Sequence, residues 1–141
     1  MTYYPVILVD TGLIVAYYSA DDQYHAQVRA FFERCTSQLV TTIACVTESM
    51  QLLAANWQTQ NEFLMAVSIG VFECEHLQPS DFTRIAELNT KYADLPGDFA
   101  DLALIVISER LDIAAIATLD SDFDVYRRYR KQPFERLFRP K

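Results

Sequence analysis

The sequence predicts an α/β protein with a mainly parallel β-sheet that is covered by helices on both faces. Short apolar segments that favour strands alternate with longer segments that favour helices. The 141 residues include only 3 glycines and 5 prolines, so the elements follow one another closely. Because helices separate the strands, the connections are crossovers and successive strands lie parallel between layers of helices.

Five apolar segments are expected to form the strands. The first, VILVD, is β-branched and apolar up to its last residue and lies between Pro5 and Gly12, which is typical of a buried strand. The expected strands are residues 6–10, 39–42, 71–77, 113–118 and a last one within 134–138.

Helical patterns fill the intervals between these strands. Gly70 is expected to end the fourth helix, Pro79 to begin the fifth, and Pro96 to precede the sixth. A seventh, short helix is expected over DFDVYRRYR, residues 122–130. The other expected helices are residues 12–19, 22–34, 44–56, 59–70, 79–93 and 98–111.

The whole chain, residues 1–141, is expected to form a single domain, since its length is ordinary for one. An apolar run long enough for a transmembrane helix is absent from the sequence, and the N-terminus lacks the basic residues of a signal peptide. The three cysteines show no metal-binding spacing and are expected to be reduced. These features predict a cytoplasmic protein without a membrane partner.

The acidic residues most indicative of function stand alone in apolar surroundings. Each of them lies in an otherwise uncharged segment or directly after one, either alone or with one other carboxylate. These residues are Asp10, Glu48, Asp98, Asp101 and Asp120. Burying an ionised carboxylate without a partner costs several kcal/mol, and no Lys or Arg stands beside these residues in the sequence. A shared metal ion is the simplest compensating charge.

Helix capping is the alternative interpretation for part of this set. Asp10 and Asp98 stand where predicted helices begin, and Asp is a favoured N-cap residue. Asp101 would lie in a first helical turn, where a negative charge is favourable. Asp120 and Asp122 follow the fourth strand, and one of the acids there is expected to cap the next helix; Asp120 is the candidate ligand and Asp122 an auxiliary group.

Glu48 is harder to interpret structurally, because it lies well inside an apolar helix and too far from its start to act as a cap. Acids that converge from distant segments favour hard divalent cations such as Mg²⁺ and Mn²⁺, which prefer oxygen ligands. Such ions activate water and stabilise charge on a phosphodiester. The sequence lacks GxGxxG, P-loop, HExxH and GxSxG motifs, which disfavours other chemistries.

The charge is distributed unevenly along the chain. The net charge is −7, yet the last fifteen residues hold seven of the twelve basic residues: Arg127, Arg128, Arg130, Lys131, Arg136, Arg139 and Lys141. One interpretation is a patch that binds RNA phosphates, with Tyr126 and Tyr129 stacking on bases. The other is a solvated face whose arginines pair with the many acids of the protein.

Four segments, in this order, resemble the PIN domain family and in particular the VapC-type ribonuclease toxins of prokaryotic toxin–antitoxin pairs. They are DTGLIVAYYSADDQYH, TTIACVTESMQLL, KYADLPGDFADLALIVISERL and IATLDSDFDVYR, and together they span essentially the whole chain. The resemblance implies a three-layer α/β/α sandwich with a five-stranded parallel sheet and an acidic site for Mg²⁺ or Mn²⁺.

By position, the acids of the family fall on Asp10, Glu48, Asp101 and Asp120, which would be both catalytic residues and metal ligands. Asp98 would assist as a further catalytic acid, at a position that is not always acidic in similar proteins. Thr11 and Thr118 match small hydroxyl residues that flank such sites.

The resemblance also implies a homodimer and a cognate antitoxin laid along the early helices. Tyr17, Tyr18, Phe31 and Phe32 are candidates to line the antitoxin groove, or else belong to the core. The sequence therefore predicts a metal-dependent endoribonuclease that cleaves single-stranded RNA. A PIN-like non-toxin nuclease or binding module is the first alternative; a phosphatase or receiver-like domain is disfavoured because residues 92–130 contain no Lys.

Overall fold

The computed structural model describes residues 3–95 and 97–141 and is built around a parallel five-stranded sheet. The strands are β1 (Val6–Val9), β2 (Gln38–Thr42), β3 (Phe72–Glu75), β4 (Ala115–Ala117), β5 (Arg127–Arg128), β6 (Gln132–Pro133) and β7 (Glu135–Arg136). The order across the sheet is β3-β2-β1-β4-β7, and every neighbouring pair is parallel. The predicted parallel sheet is confirmed.

Six α-helices occur within the described residues. They are α1 (Thr11–Tyr18), α2 (His25–Arg34), α3 (Ile43–Leu52), α4 (Trp57–Ser68), α5 (Pro79–Lys91) and α6 (Phe99–Arg110). Six of the seven expected helices are found, with bounds displaced by up to four residues at their ends. None of the helices in this part of the chain has the length and apolar character needed to cross a bilayer.

The central strand is covered on both faces. Successive side chains of a strand point to opposite faces of the sheet, yet Ile7, Leu8 and Val9 are all completely buried. Helix α6 lies deep in the protein, since residues 100–108 are all buried. Its nearly uniform apolar sequence predicts this position, because a helix that is apolar all round has no solvent face.

The topology places the candidate residues at one edge of the sheet. From β1 the chain moves outward through β2 to β3, then crosses back to β4 on the other side of β1. In parallel sheets, sites form outside the carboxyl ends of the strands at such a reversal. Asp10 directly follows β1, and Asp120 follows β4 by three residues.

The prediction of a helix over residues 122–130 is wrong. The structure has a single 3₁₀ turn at Ser121–Asp124, after which β5 pairs antiparallel with β6. The turn between them places Tyr129 and Arg130 at φ 49° and 77°, and the Lys131 N–H donates to the Arg128 carbonyl at 3.2 Å. Two consecutive residues with positive φ are typical of a tight hairpin turn, in which Gly or Asn is usual. Neither occurs here, so the sequence carries no hairpin signal.

Candidate metal centre

Asp10 links the carboxyl ends of the neighbouring strands β1 and β4 through hydrogen bonds. Its Oδ1 accepts a 2.7 Å hydrogen bond from the Thr11 N–H at the start of α1, and its Oδ2 accepts a 2.8 Å bond from the Thr118 hydroxyl beyond β4. The side chain is 6% exposed. Burial raises its pKa to about 6 against the lowering effect of these two hydrogen bonds, and the charges of Asp120 and Asp98 raise it further.

Asp98 and Asp101 occupy the first turn of α6. Asp98 is the N-cap, and its Oδ1 accepts a 2.9 Å hydrogen bond from the Asp101 N–H. Asp101 is 7% exposed, and burial is the main cause that raises its pKa to about 8. The charges of Asp10, Asp98 and Asp120 act in the same direction. Without a cation, the Asp101 carboxyl therefore ionises at a higher pH than the Asp10 carboxyl.

Asp120 completes a compact group of three carboxylates. One oxygen each of Asp10, Asp101 and Asp120 lies within 4.8 Å of the others. Asp120 is held by its own N–H, which donates to the Thr118 hydroxyl at 2.9 Å, and its Oδ1 accepts the Asp122 N–H at 2.8 Å. Between the two acids that the sequence leaves open, the structure places Asp120 in the cluster. Asp122 is not part of this three-residue group.

Glu48 lies beside this group and is not one of the three. Its Oε1 accepts a 2.9 Å hydrogen bond from the Thr11 hydroxyl, and Thr11 also donates its N–H to Asp10, so one residue links the two acids. Burial raises the pKa of Glu48, the Thr11 bond lowers it, and the charge of Asp98 raises it. Glu48 and Asp98 also line the same open pocket. All five predicted acids therefore share one region, as an inner three and an outer two.

Tyr126 is a component of the site that sequence reasoning assigned to another role. The expectation that it stacks on RNA bases is wrong, because the side chain is completely buried. Its hydroxyl donates to Asp101 Oδ2 at 3.1 Å. A Cβ atom at position 97 would clash with that hydroxyl, so the absence of a side chain at Gly97 leaves room for the Tyr126 hydroxyl. In the sequence, the feature that relates to this contact is Gly97, directly before the pair Asp98 and Asp101.

The basic tail is largely engaged with the protein itself. Arg128 is 3% exposed, and its guanidinium donates to the Ser108 carbonyl at 3.0 Å and to Asp112 at 2.9 Å. Arg136 and Arg139 both pair with Asp124, at 3.0 and 2.8 Å. For these three arginines the structure favours pairing with acids over contact with RNA.

The four aromatic residues considered for a partner groove are half-buried. Tyr17 and Phe32 pack edge to face with ring centroids 5.3 Å apart, and Phe31 packs in the same way on Phe138 at 5.6 Å. Tyr18 contacts the buried Phe63. These contacts favour the core interpretation.

A more exposed apolar surface lies on helix α4 and is here termed the α4 stripe. It consists of Trp57, Leu64 and Met65, which are 65%, 39% and 59% exposed. Their spacing of seven and eight residues places them on one side of the helix.

The family model of the PIN domain matches residues 7–129. The chain belongs to the PIN domain family. Among curated proteins it is 28% identical over 116 residues to Ribonuclease VapC26 of Mycobacterium tuberculosis, a match that covers 81% of this chain and 86% of that protein. The family predicted from the sequence is confirmed.

Solved structures share the fold of this PIN domain. Mycobacterium tuberculosis VapC20, described as a Sarcin-Ricin loop cleaving toxin, superposes with a TM-score of 0.73 and 19% identity, over 84% of this chain and 93% of that one. A toxin–antitoxin complex from Klebsiella pneumoniae gives a TM-score of 0.65 and 16% identity, over 83% and 89%. These similarities confirm the predicted α/β sandwich.

Proposed function

We propose that this PIN domain is a metal-dependent endoribonuclease that cleaves single-stranded RNA and acts as the toxin of a toxin–antitoxin pair. The observation that carries the proposal is the convergence of Asp10, Asp101 and Asp120, from three distant segments, to within 4.8 Å. The similarity to a curated ribonuclease supports it. We also propose that residues 1–141 act as one domain, and the cytoplasmic location stays a prediction.

The chemistry of the cluster fits a divalent cation. All three groups are carboxylates, the donors that Mg²⁺ and Mn²⁺ prefer, and the pKa values of Asp10 and Asp101 are raised partly by their mutual repulsion with neighbouring acids. A cation between them would relieve that repulsion. Asp10, Asp101 and Asp120 would hold Mg²⁺ or Mn²⁺, with Glu48 as the fourth ligand and Asp98 assisting from the rim.

The chain's own residues fix the geometry of this site. Two hydrogen bonds to the Asp10 carboxylate and one to the Asp120 carboxylate restrict how each can turn, and the Tyr126 hydroxyl does the same for Asp101. When bound, a divalent ion activates water and stabilises the charge that develops on the phosphodiester. Carboxylates held in position in advance lose little freedom when the substrate phosphate arrives.

We propose a cognate antitoxin and a homodimer as the protein partners. A toxin–antitoxin complex among the structural neighbours supports the first. The α4 stripe supports a protein contact, because large apolar side chains clustered on a surface are typical of interaction sites. We assign self-association to this stripe.

The test compares two neighbouring acids. With Mg²⁺ or Mn²⁺, the purified protein is expected to cleave single-stranded RNA, and chelation should stop cleavage. Asp120→Asn should lower the rate by at least about 100-fold, because one ligand of the ion loses its charge. Asp122→Asn is the matched control and should retain the rate. Cleavage that persists in chelator, or an Asp120→Asn variant as active as the parent, would contradict the proposal.

A further inference from the structure

An open pocket adjoins the carboxylates and is lined mostly by apolar side chains. Its volume is about 410 Å³, within the range of pockets that bind small ligands. The acids Glu48 and Asp98 form part of its wall, and Ile43, Ala44, Phe99 and Ala100 form the apolar part. The pocket is therefore bounded by the two outer acids of the candidate metal centre.

Two large apolar side chains of this pocket are exposed to solvent. Ile43 and Phe99 are the first residues of α3 and α6, and they are 52% and 45% exposed. The Phe99 ring stacks on Phe82 of α5, with centroids 6.1 Å apart and an angle of 26° between the planes. This stacking holds Phe99 in place beside the acids. Apolar side chains that are exposed together beside a charged centre are typical of a ligand-binding site.

We infer that this pocket binds one nucleobase of the RNA, that of a nucleotide next to the phosphate being cleaved, stacked on Phe99 against Ile43. The inference rests on the proposed ribonuclease function. Since Glu48 and Asp98 belong both to the pocket wall and to the carboxylate region, a phosphate at the metal centre places an adjoining base at the pocket mouth. The aromatic face of Phe99 offers the surface on which bases stack in single-stranded complexes.

The polar groups of the pocket favour a base over the other two groups that could enter it. Within the described residues, neither Lys nor Arg lines the pocket, so a phosphate has no cation there. An aliphatic side chain from a protein would bury the two carboxylates without giving them a hydrogen bond, which is costly. A nucleobase has N–H groups that can donate hydrogen bonds to the carboxylates of Glu48 and Asp98, together with a flat apolar face.

The test uses the intact protein and a short single-stranded RNA whose cleavage position is first mapped with the parent. The same RNA is then made without the base on either side of that position. Removing the base that occupies the pocket should lower the parent's cleavage rate by roughly 5- to 150-fold, the range of base–aromatic stacking. Phe99→Ala should show the same loss on the intact RNA and little further loss on the abasic RNA. Phe99→Trp should restore the rate.

Two controls separate this inference from the function on which it rests. Tyr3→Ala removes an exposed aromatic side chain that does not line the pocket, and this variant should cleave both RNAs like the parent. Mg²⁺ affinity, measured by calorimetry without RNA, should be unchanged in Phe99→Ala. If the parent cleaves RNA and Phe99→Ala cleaves each of the two RNAs at the parent's rate, the proposed nucleobase site is refuted. The proposed ribonuclease function is then unaffected.

Two other outcomes also overturn the inference. A Phe99→Ala variant that cleaves normally but loses a protein partner would assign the pocket to that partner. A parent that cleaves no RNA under any metal condition refutes the ribonuclease and, with it, the base site.

Discussion

Replacing Asp101 by asparagine removes one charge from the carboxylate cluster and keeps the size of the side chain. The Asp101 carboxyl is 7% exposed, and its pKa is raised from 3.8 to about 8, first by burial and then by the charges of Asp10, Asp98 and Asp120. The Tyr126 hydroxyl can still donate to an asparagine oxygen at the same place. The substitution therefore tests the charge alone.

The sign of the effect on stability follows from proton binding. Between pH 4 and pH 8, roughly, Asp101 is protonated in the folded protein and ionised in the unfolded chain. The folded state then binds more protons, so its stability falls as pH rises, by at most about 1.4 kcal/mol per pH unit, and levels off above the folded pKa. From pH 5.5 to pH 8.5 this amounts to about 2–3 kcal/mol. Asparagine does not titrate and lacks this loss.

Urea unfolding in chelator at these two pH values measures the effect. We expect Asp101→Asn to exceed the parent's free energy of unfolding at both pH values, and the difference to grow by about 2–3 kcal/mol from pH 5.5 to pH 8.5. Added Mg²⁺ should stabilise the parent at pH 8.5 and have little effect on the variant, because a ligand stabilises only the state that binds it. RNA cleavage should be lost.

Asp94→Asn, at an exposed acid outside the cluster, is the control and should follow the parent at both pH values. An Asp101→Asn variant less stable than the parent at pH 8.5 without metal would refute the reasoning and give Asp101 a structural role. Equal pH dependence of the two proteins would refute it as well.

Two further predictions concern Tyr126 and the α4 stripe. Tyr126→Phe keeps the buried ring but removes the donor to Asp101, and it should weaken Mg²⁺ binding by roughly 10-fold or more, as loss of an outer partner of a metal ligand does. Mg²⁺ titration measures this, and unchanged affinity would exclude a positioning role. The double variant Trp57→Glu with Met65→Glu should convert a homodimer into a monomer by light scattering, because it places charges in an apolar contact. Leu111→Glu, at an exposed apolar residue elsewhere, should leave the dimer intact, and a dimer that survives both changes would exclude the stripe.

The sheet and the position of the site could be predicted because their signals are local. The run VILV at residues 6–9 is apolar on both faces of a strand, which only a covered central strand requires. A lone charge at the end of such a strand, as in Asp10, must lie at the carboxyl edge of the sheet. Asp120 likewise follows an apolar strand. The sequence therefore predicts that the carboxylates of Asp10 and Asp120 converge at this edge of the sheet, without any knowledge of how the helices pack.

Other features depend on contacts that the sequence does not encode locally. Tyr126 stands among arginines and acids, which is typical of a surface, yet the chain turns it inward to Asp101, 25 residues away. Arg128 is buried because Ser108 and Asp112 accept its hydrogen bonds, and neither residue is near it in sequence. Whether Glu48 lies inside the cluster or beside it depends on how helix α3 is seated, which periodicity does not define.

The interpretations of the acids as caps and as metal ligands are compatible, and hydrogen bonding explains part of the difference between the pKa values of Asp10 and Asp101. Asp10, Asp98 and Asp120 each accept a backbone N–H with one oxygen at the start of a helical turn. For Asp10, the bond from the Thr11 N–H and the one from the Thr118 hydroxyl lower the pKa against the effect of burial. Asp101 lies three residues after the N-cap Asp98. Among the described residues, its carboxylate accepts a hydrogen bond from the Tyr126 hydroxyl alone.

Asp10 and Asp101 are almost equally buried, yet their pKa values are about 6 and about 8. The bonds from Thr118 and Thr11 limit the rise of the Asp10 pKa, whereas the Asp101 carboxyl is raised further and must lose its proton when a cation binds near neutral pH. Metal affinity and the stability of the metal-free protein should accordingly change over the same pH range, because both report the ionisation of this one carboxyl.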